Sequence, residues 1–135
     1  MIKGLDHVQL AMPRGREREA REYYAETLGL TELAKPAALS GRGGVWFLLP
    51  DGLGLHLGVE EPFQPAEKAH PAFIVASLDE LAKLMKDKGY AVEWDEALAP
   101  RRRFYGEDPF GNRVEFLEPS SGVRDPGVRS SPAGI

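Results

Sequence analysis

The 135-residue chain contains no cysteine. That absence removes disulfides, thiolate zinc sites, iron–sulfur ligation and thiol nucleophiles together, and it fits a reducing, cytoplasmic setting. Long apolar runs are missing as well. No stretch approaches the length that spans a bilayer, and the opening "MIKGLDHVQL" lacks the apolar centre of a secretion signal, so no membrane partner is expected. Basic residues are not in excess: 17 Lys and Arg against 21 Asp and Glu leave a formal charge of −4, which speaks against a nucleic-acid partner. No serine sits in a nucleophile elbow, and "SGRGG" (40–44) has neither the lysine nor the following helix of a phosphate-binding loop. Histidine is scarce too, with only three, at 7, 56 and 70.

What is present is one pattern written twice. "LDHVQLAMP" alternates as a strand, with Val8, Leu10 and Met12 on one face and His7, Gln9 and Ala11 on the other. "RGREREAREYYAETLGL" is helical, its stripe of Ala20, Tyr23, Tyr24 and Leu28 ending at Gly29. A short strand over 30–34 and a loop through Gly44 lead into a hairpin, "VWFLLP" and "LGLHLGV", joined through Pro50-Asp51-Gly52. The order then restarts. "HPAFIVAS" is a strand, and "SLDELAKLMKDKG" is a helix with a Ser77/Glu80 capping box. "YAVEW", "RRFYGED" and "NRVEFLE" are strands, the last two joined by the turn "DPFGN". The expectation is one α+β domain over 1–118, built of two βαβββ modules (4–60 and 69–118) that form a cupped mixed sheet. Residues 119–135 carry no periodic apolar pattern and read as a disordered tail.

Matching the modules, with Phe47 to Asp51 against Phe104 to Asp108, sets His7 opposite His70 and His56 opposite Glu115. Imidazole and carboxylate suit borderline divalent metals: Zn, Ni, Fe, Mn or Co. Each residue taken singly reads equally as a hydrogen-bonded core or edge residue; their repetition at matched positions is what points to a shared metal. His56 has Gly54 and Gly58 as same-face neighbours, which suggests space cleared for a ligand.

The duplicated βαβββ order, with "LDHVQL", "AHPAFIV" and above all "EDPFGNRVEFLEP", resembles the vicinal oxygen chelate superfamily of glyoxalases, fosfomycin-resistance proteins, extradiol dioxygenases and bleomycin-resistance proteins. The similarity spans residues 4 to 118. It implies a metal held by His7, His70 and Glu115, with His56 standing where glyoxalase I has a glutamate. His56 is then either a fourth ligand or a general base, and His56 and Glu115 become the catalytic pair. The resemblance further implies a small-molecule substrate, a homodimer, and glyoxalase-like lyase or isomerase chemistry on a metabolite whose oxygens chelate the metal. Dioxygenase, fosfomycin-resistance-like transferase and non-catalytic drug binding of the bleomycin-resistance type are the alternatives.

Strand parity adds three candidate substrate contacts: Gln9 beside His7, and Arg103 and Tyr105 on a face that Glu107 shares. A charged edge that discourages strand aggregation explains Arg103 as well. Arg113 shares the face of Glu115 and is an anion site or an ion-pair partner. Trp46 and Trp94 are expected to fill core or interface space.

Overall fold

The computed structural model describes residues 1–120, so the expected disordered tail falls almost wholly outside the described residues. The first half runs β1 (His7–Met12), a helix α1 (Glu17–Ala20) continued by π-helical turns (Arg21–Thr27), β2 (Thr31–Leu33), β3 (Val45–Leu48) and β4 (Gly54–Val59). The second runs β5 (Ala72–Ile74), α2 (Leu78–Asp87), β6 (Glu93–Asp95), β7 (Arg103–Glu107) and β8 (Arg113–Leu117). Each half closes a four-stranded mixed sheet, in the orders β1-β4-β3-β2 and β5-β8-β7-β6. The order is the same because both halves solve one problem. A parallel pair needs a crossover, which the helix supplies, and short connections leave the remaining strands antiparallel. The α+β, glyoxalase-like architecture follows.

Local chemistry accounts for most element boundaries. The Ser77 hydroxyl accepts the Glu80 N–H and caps α2, whose Leu78, Ala82 and Met85 are buried. The first helix departs from a regular α stripe. Its last turns widen, with the Leu28 N–H reaching the Tyr23 carbonyl, and the adjacent Tyr23 and Tyr24 are both fully buried. The loop expected before Gly44 contains a 3₁₀ segment (Ala37–Arg42), and "YAVEW" contributes only its end to β6.

Register corrects the matching of the halves. Trp46 and Gln9 lie across from His56, while Tyr105 and Ala72 lie across from Glu115. The equivalence of His56 with Glu115 stands, but Tyr105 corresponds to Trp46, not to Leu48. The two hairpin connections misled the comparison because their aspartates sit at different places. Asp51 accepts the Leu53 N–H within its loop, whereas Asp108 opens its loop and accepts the Phe110 and Asn112 N–H groups.

The halves share one apolar core, in which Tyr24, Phe47, Leu55, Phe104 and Phe116 are buried. A polar seam runs beside it. The Tyr24 hydroxyl donates to the Asp108 carboxylate at 2.7 Å, and the Asn112 amide donates to both Asp108 (2.9 Å) and the Ala11 carbonyl (2.8 Å). Burial first, and the adjacent carboxylate second, raise the Tyr24 pKa well above that of a free phenol, so it remains the donor. Among the described residues no helix is long and apolar enough to cross a membrane.

Asp108→Ala orphans a phenol, an amide and two backbone N–H groups, and should lower stability by about 3–5 kcal/mol. Tyr24→Phe removes one bond and should cost about 1–2 kcal/mol. Urea denaturation of both variants checks this; equal losses would show that Asp108 is not the shared acceptor.

Candidate metal and substrate site

In both sheets the face turned away from the core carries the chemistry. On the first sheet this face holds His7 and Gln9 from β1, Trp46 from β3 and His56 from β4. His56 is buried between two rings. Trp46 stacks on it with centroids 3.9 Å apart and 5° between planes, and His7 stacks at 4.3 Å and 14°. Burial first, and then the neighbouring His7, lower the His56 pKa, with Asp6 acting the other way, so the ring is neutral near pH 7. It makes no hydrogen bond among the described residues. The His7 Nδ1 pairs with the Asp6 carboxylate at 2.9 Å, so Nδ1 is the committed nitrogen of this ring.

The two glycines beside His56 do not leave ligand space. A Cβ built at Gly54 would lie 3.0 Å from the His7 Cβ and 3.2 Å from the His56 Nε2; one at Gly58 would lie 2.7 Å from the Gln9 amide nitrogen. The missing side chains make room for the protein's own His7, His56 and Gln9. Period-two reasoning sees the gap along one strand but not the neighbouring strand that fills it.

On the second sheet a chain of charged groups crosses the face. The His70 Nδ1–H donates to the Lys68 carbonyl at 2.8 Å, and His70 Nε2 faces Glu115 Oε1, also at 2.8 Å. The other oxygen of Glu115 accepts from Arg103 at 3.2 Å, and Arg103 also binds Asp95 at 3.2 Å. Burial opposes the Arg103 charge, but its bonds to Glu115 and Asp95 outweigh that and raise its pKa. Asp95 is held below the usual carboxylate range, first by the Ala97 N–H and also by Arg103. Tyr105 stands at the middle: His70 meets its ring edge-on at 5.7 Å, and the Arg103 and Arg113 guanidinium carbons lie 5.1 and 3.9 Å from its centroid.

The expected residues therefore gather as two pairs, His7 with His56 and His70 with Glu115. Among the described residues of one chain, no group of three potential ligands comes together. Gln9 joins the first pair; Arg103 and Tyr105 join the second. Trp46 was assigned to core or interface space, yet it is the stacking floor of His56. Parity could have found it, since Val45 and Phe47 take the core face of β3 and leave Trp46 to the other. Trp94 packs on Phe104 with its outer face under Arg102.

A metal-binding histidine commonly donates its other ring N–H to a carboxylate or backbone carbonyl. His7 and His70 are both oriented in this way, so the donor set fits a borderline divalent cation.

Neither protein-family models nor curated proteins yield a match to the chain. Solved structures do. A glyoxalase family protein from Bacillus anthracis is 48% identical, with a TM-score of 0.83 over 87% of this chain and 96% of its own. Two more distant structures share the fold. The fosfomycin resistance protein FosX from Listeria monocytogenes has 20% identity and a TM-score of 0.72, over 89% of this chain and 96% of its own. The antibiotic binding protein TnmS3 from Streptomyces sp. CB03234 has 22% identity and a TM-score of 0.68, over 88% and 98%. With its duplicated βαβββ order and this degree of identity, the chain belongs to the glyoxalase family of the vicinal oxygen chelate superfamily.

Proposed function

We propose that the protein is a divalent-metal lyase or isomerase acting on a small oxygen-bearing metabolite, with His7, His70 and Glu115 as the metal ligands. One observation carries this reading. Both histidines commit Nδ1 to an oxygen, and His70 then presents Nε2 to a buried carboxylate oxygen at 2.8 Å. That short contact brings an imidazole nitrogen and a carboxylate oxygen close enough for both to donate to one divalent ion. Zn²⁺, Ni²⁺, Fe²⁺, Mn²⁺ or Co²⁺ suits the donors, and when bound such an ion supplies Lewis acidity to a carbonyl, enediolate or epoxide oxygen.

The remaining residues have distinct tasks in this reading. Glu115 is the anionic donor, oriented by Arg103. The Tyr105 hydroxyl makes no hydrogen bond among the described residues and can donate to a substrate oxygen. His56 orients His7. Its ring lies stacked against that of His7, so in this reading it would hold the His7 ring in place rather than hold the ion. As a neutral imidazole, His56 remains able to accept a proton from a substrate.

The two pairs are separate within one chain, and we assign the complete site to a homodimer: His7 from one copy, His70 and Glu115 from the other. β1 and β5, which carry or follow the histidines, are both edge strands. An apolar groove of about 400 Å³ also lies between the halves, lined by residues such as Leu30, Leu49, Phe73 and Ile74. A different reading, a metal-free binder of drugs or metabolites, has its own support. The His70–Glu115–Arg103–Asp95 chain already satisfies its charges internally if His70 is protonated.

Metal titration separates the readings. Glu115→Gln should weaken metal binding by more than about 100-fold, beyond the 10–100-fold typical of losing an outer partner; unchanged binding would show that Glu115 is not a ligand, and no binding by the wild type would favour the metal-free reading. His56→Ala should weaken it by about 10-fold or less. A loss as large as that of His7→Ala would make His56 a ligand.

The shared site has its own check. Mixing and re-pairing His7→Ala and Glu115→Ala chains at random should restore about a quarter of the wild-type metal, since half the dimers then hold one intact site of two. No recovery would place the site within one chain.

A further inference from the structure

Half of the large apolar side chains that stand exposed among the described residues fall in the first five positions: Met1, Ile2 and Leu5. Single exposed apolar residues need no explanation, but a cluster of them at one place marks a surface that something covers. The Asp6 carbonyl accepts the Gly54 N–H at 2.9 Å, which extends the β1–β4 ladder by one rung. The residues before it are all exposed and leave the edge of the first sheet as an arm.

The groove between the halves is the counterpart of that arm. Its volume is about 400 Å³, and Leu30, Leu49, Phe73, Val75, Leu81 and Phe116 are among its lining residues. The arm leaves the sheet at the end where this groove opens, because Gly54, beside Asp6, directly follows the hairpin loop that contributes Leu49. One chain therefore holds both pieces close together, yet the arm's apolar side chains stay in solvent and the groove stays accessible. A second copy covers both. In the proposed homodimer, His7 of one copy meets His70 and Glu115 of the other, and β5 begins two residues after His70. With these two edge strands antiparallel, the arm runs back from His7 in the direction in which the partner's β5 runs forward. Ile2 lies five residues before His7, and Val75 five residues after His70. An extended stretch of that length covers about 17 Å on each side, so Ile2 arrives beside Val75 of the partner, at the groove.

We propose that residues 1–5 form an exchange arm, which seats Met1 and Ile2 in the apolar groove of a second copy, beside that copy's β5. The exchange is reciprocal, so one two-fold arrangement buries two arms and two grooves and closes without growing into a chain. The inference rests on the proposed function for the approach of the two edge strands, but the arm and the groove are defined without the metal.

A chain without cysteine makes the contact directly readable. Chains carrying Ile2→Cys and chains carrying Ala76→Cys are mixed, oxidised mildly without metal and run on a non-reducing gel. Ala76 lines the groove and is exposed, so the substitution there is tolerated. The mixture should give a covalent dimer that neither kind gives alone, and a chain carrying both substitutions should link between copies. A link within the doubly substituted chain would seat the arm in its own groove and overturn the inference. So would the absence of any link in the mixture, or linkage of Ile2→Cys chains to one another. Ile2→Asp should keep the wild-type circular dichroism spectrum and raise the dimer dissociation constant about 10–100-fold in sedimentation equilibrium; an unchanged constant would also overturn it. Metal titration of the same samples keeps the two readings apart. A mixed cross-link in protein that binds no metal supports the arm while the metal reading fails, and a metal shared between copies with no cross-link ends the arm alone.

Discussion

The buried carboxylate of Asp108 is the constraint on which the rest of the molecule turns. A carboxylate out of water is tolerable only when its oxygens are filled, and here four donors fill them: the Tyr24 phenol, two backbone N–H groups and the Asn112 amide. Three of these come from its own loop, so the turn is locked. The fourth comes from the other half of the chain, and Asn112 adds a bond to the Ala11 carbonyl beside it. One turn thus sets the β7–β8 register and docks the first helix and β1 against the second half. The same register presents Tyr105 and Glu115 across from each other.

From that framework the division of faces follows. Leu55, Leu57, Phe104, Val114 and Phe116 turn toward the shared core, and each intervening residue must turn the other way. The outward face of one half became aromatic and neutral, with His56 between Trp46 and His7. The outward face of the other became ionic, with Arg103 joining Asp95 to Glu115. Equivalent register positions carry different chemistry: a histidine whose burial favours the uncharged ring, and a glutamate bonded to His70 and Arg103. A site assembled from both faces combines a rigid neutral donor with a fixed anionic one.

The fold does not choose a reaction. FosX and TnmS3 share it at low identity, one a fosfomycin resistance protein and the other an antibiotic binding protein, so the side chains on the two faces must decide the chemistry. In the proposed reading, the choice rests on hydrogen bonds around the imidazoles. A ring whose Nδ1 is held by Asp6 or by the Lys68 carbonyl has its tautomer and direction set before any ligand arrives.

Much of this was legible in the order of residues. The alternation of "HVQLAM" separates core from site in β1, the capped stripe of "SLDELAKLMKDKG" marks α2, and "DPFGN" marks the turn that locks the second half. The repeat aligns His56 with Glu115. These are local properties, set by side-chain period and turn chemistry within a few residues. What tertiary structure decided is everything that depends on the strand next door. It filled the space beside Gly54 and Gly58 with His7, His56 and Gln9, turned Trp46 into a floor for His56, and moved its equivalent to Tyr105. It also parted the four expected ligands into two pairs and seated Arg113 on the Tyr105 ring. A sequence specifies which face a side chain points to, but the distance between two faces comes only from packing, and metal and ion-pair chemistry is governed by that distance.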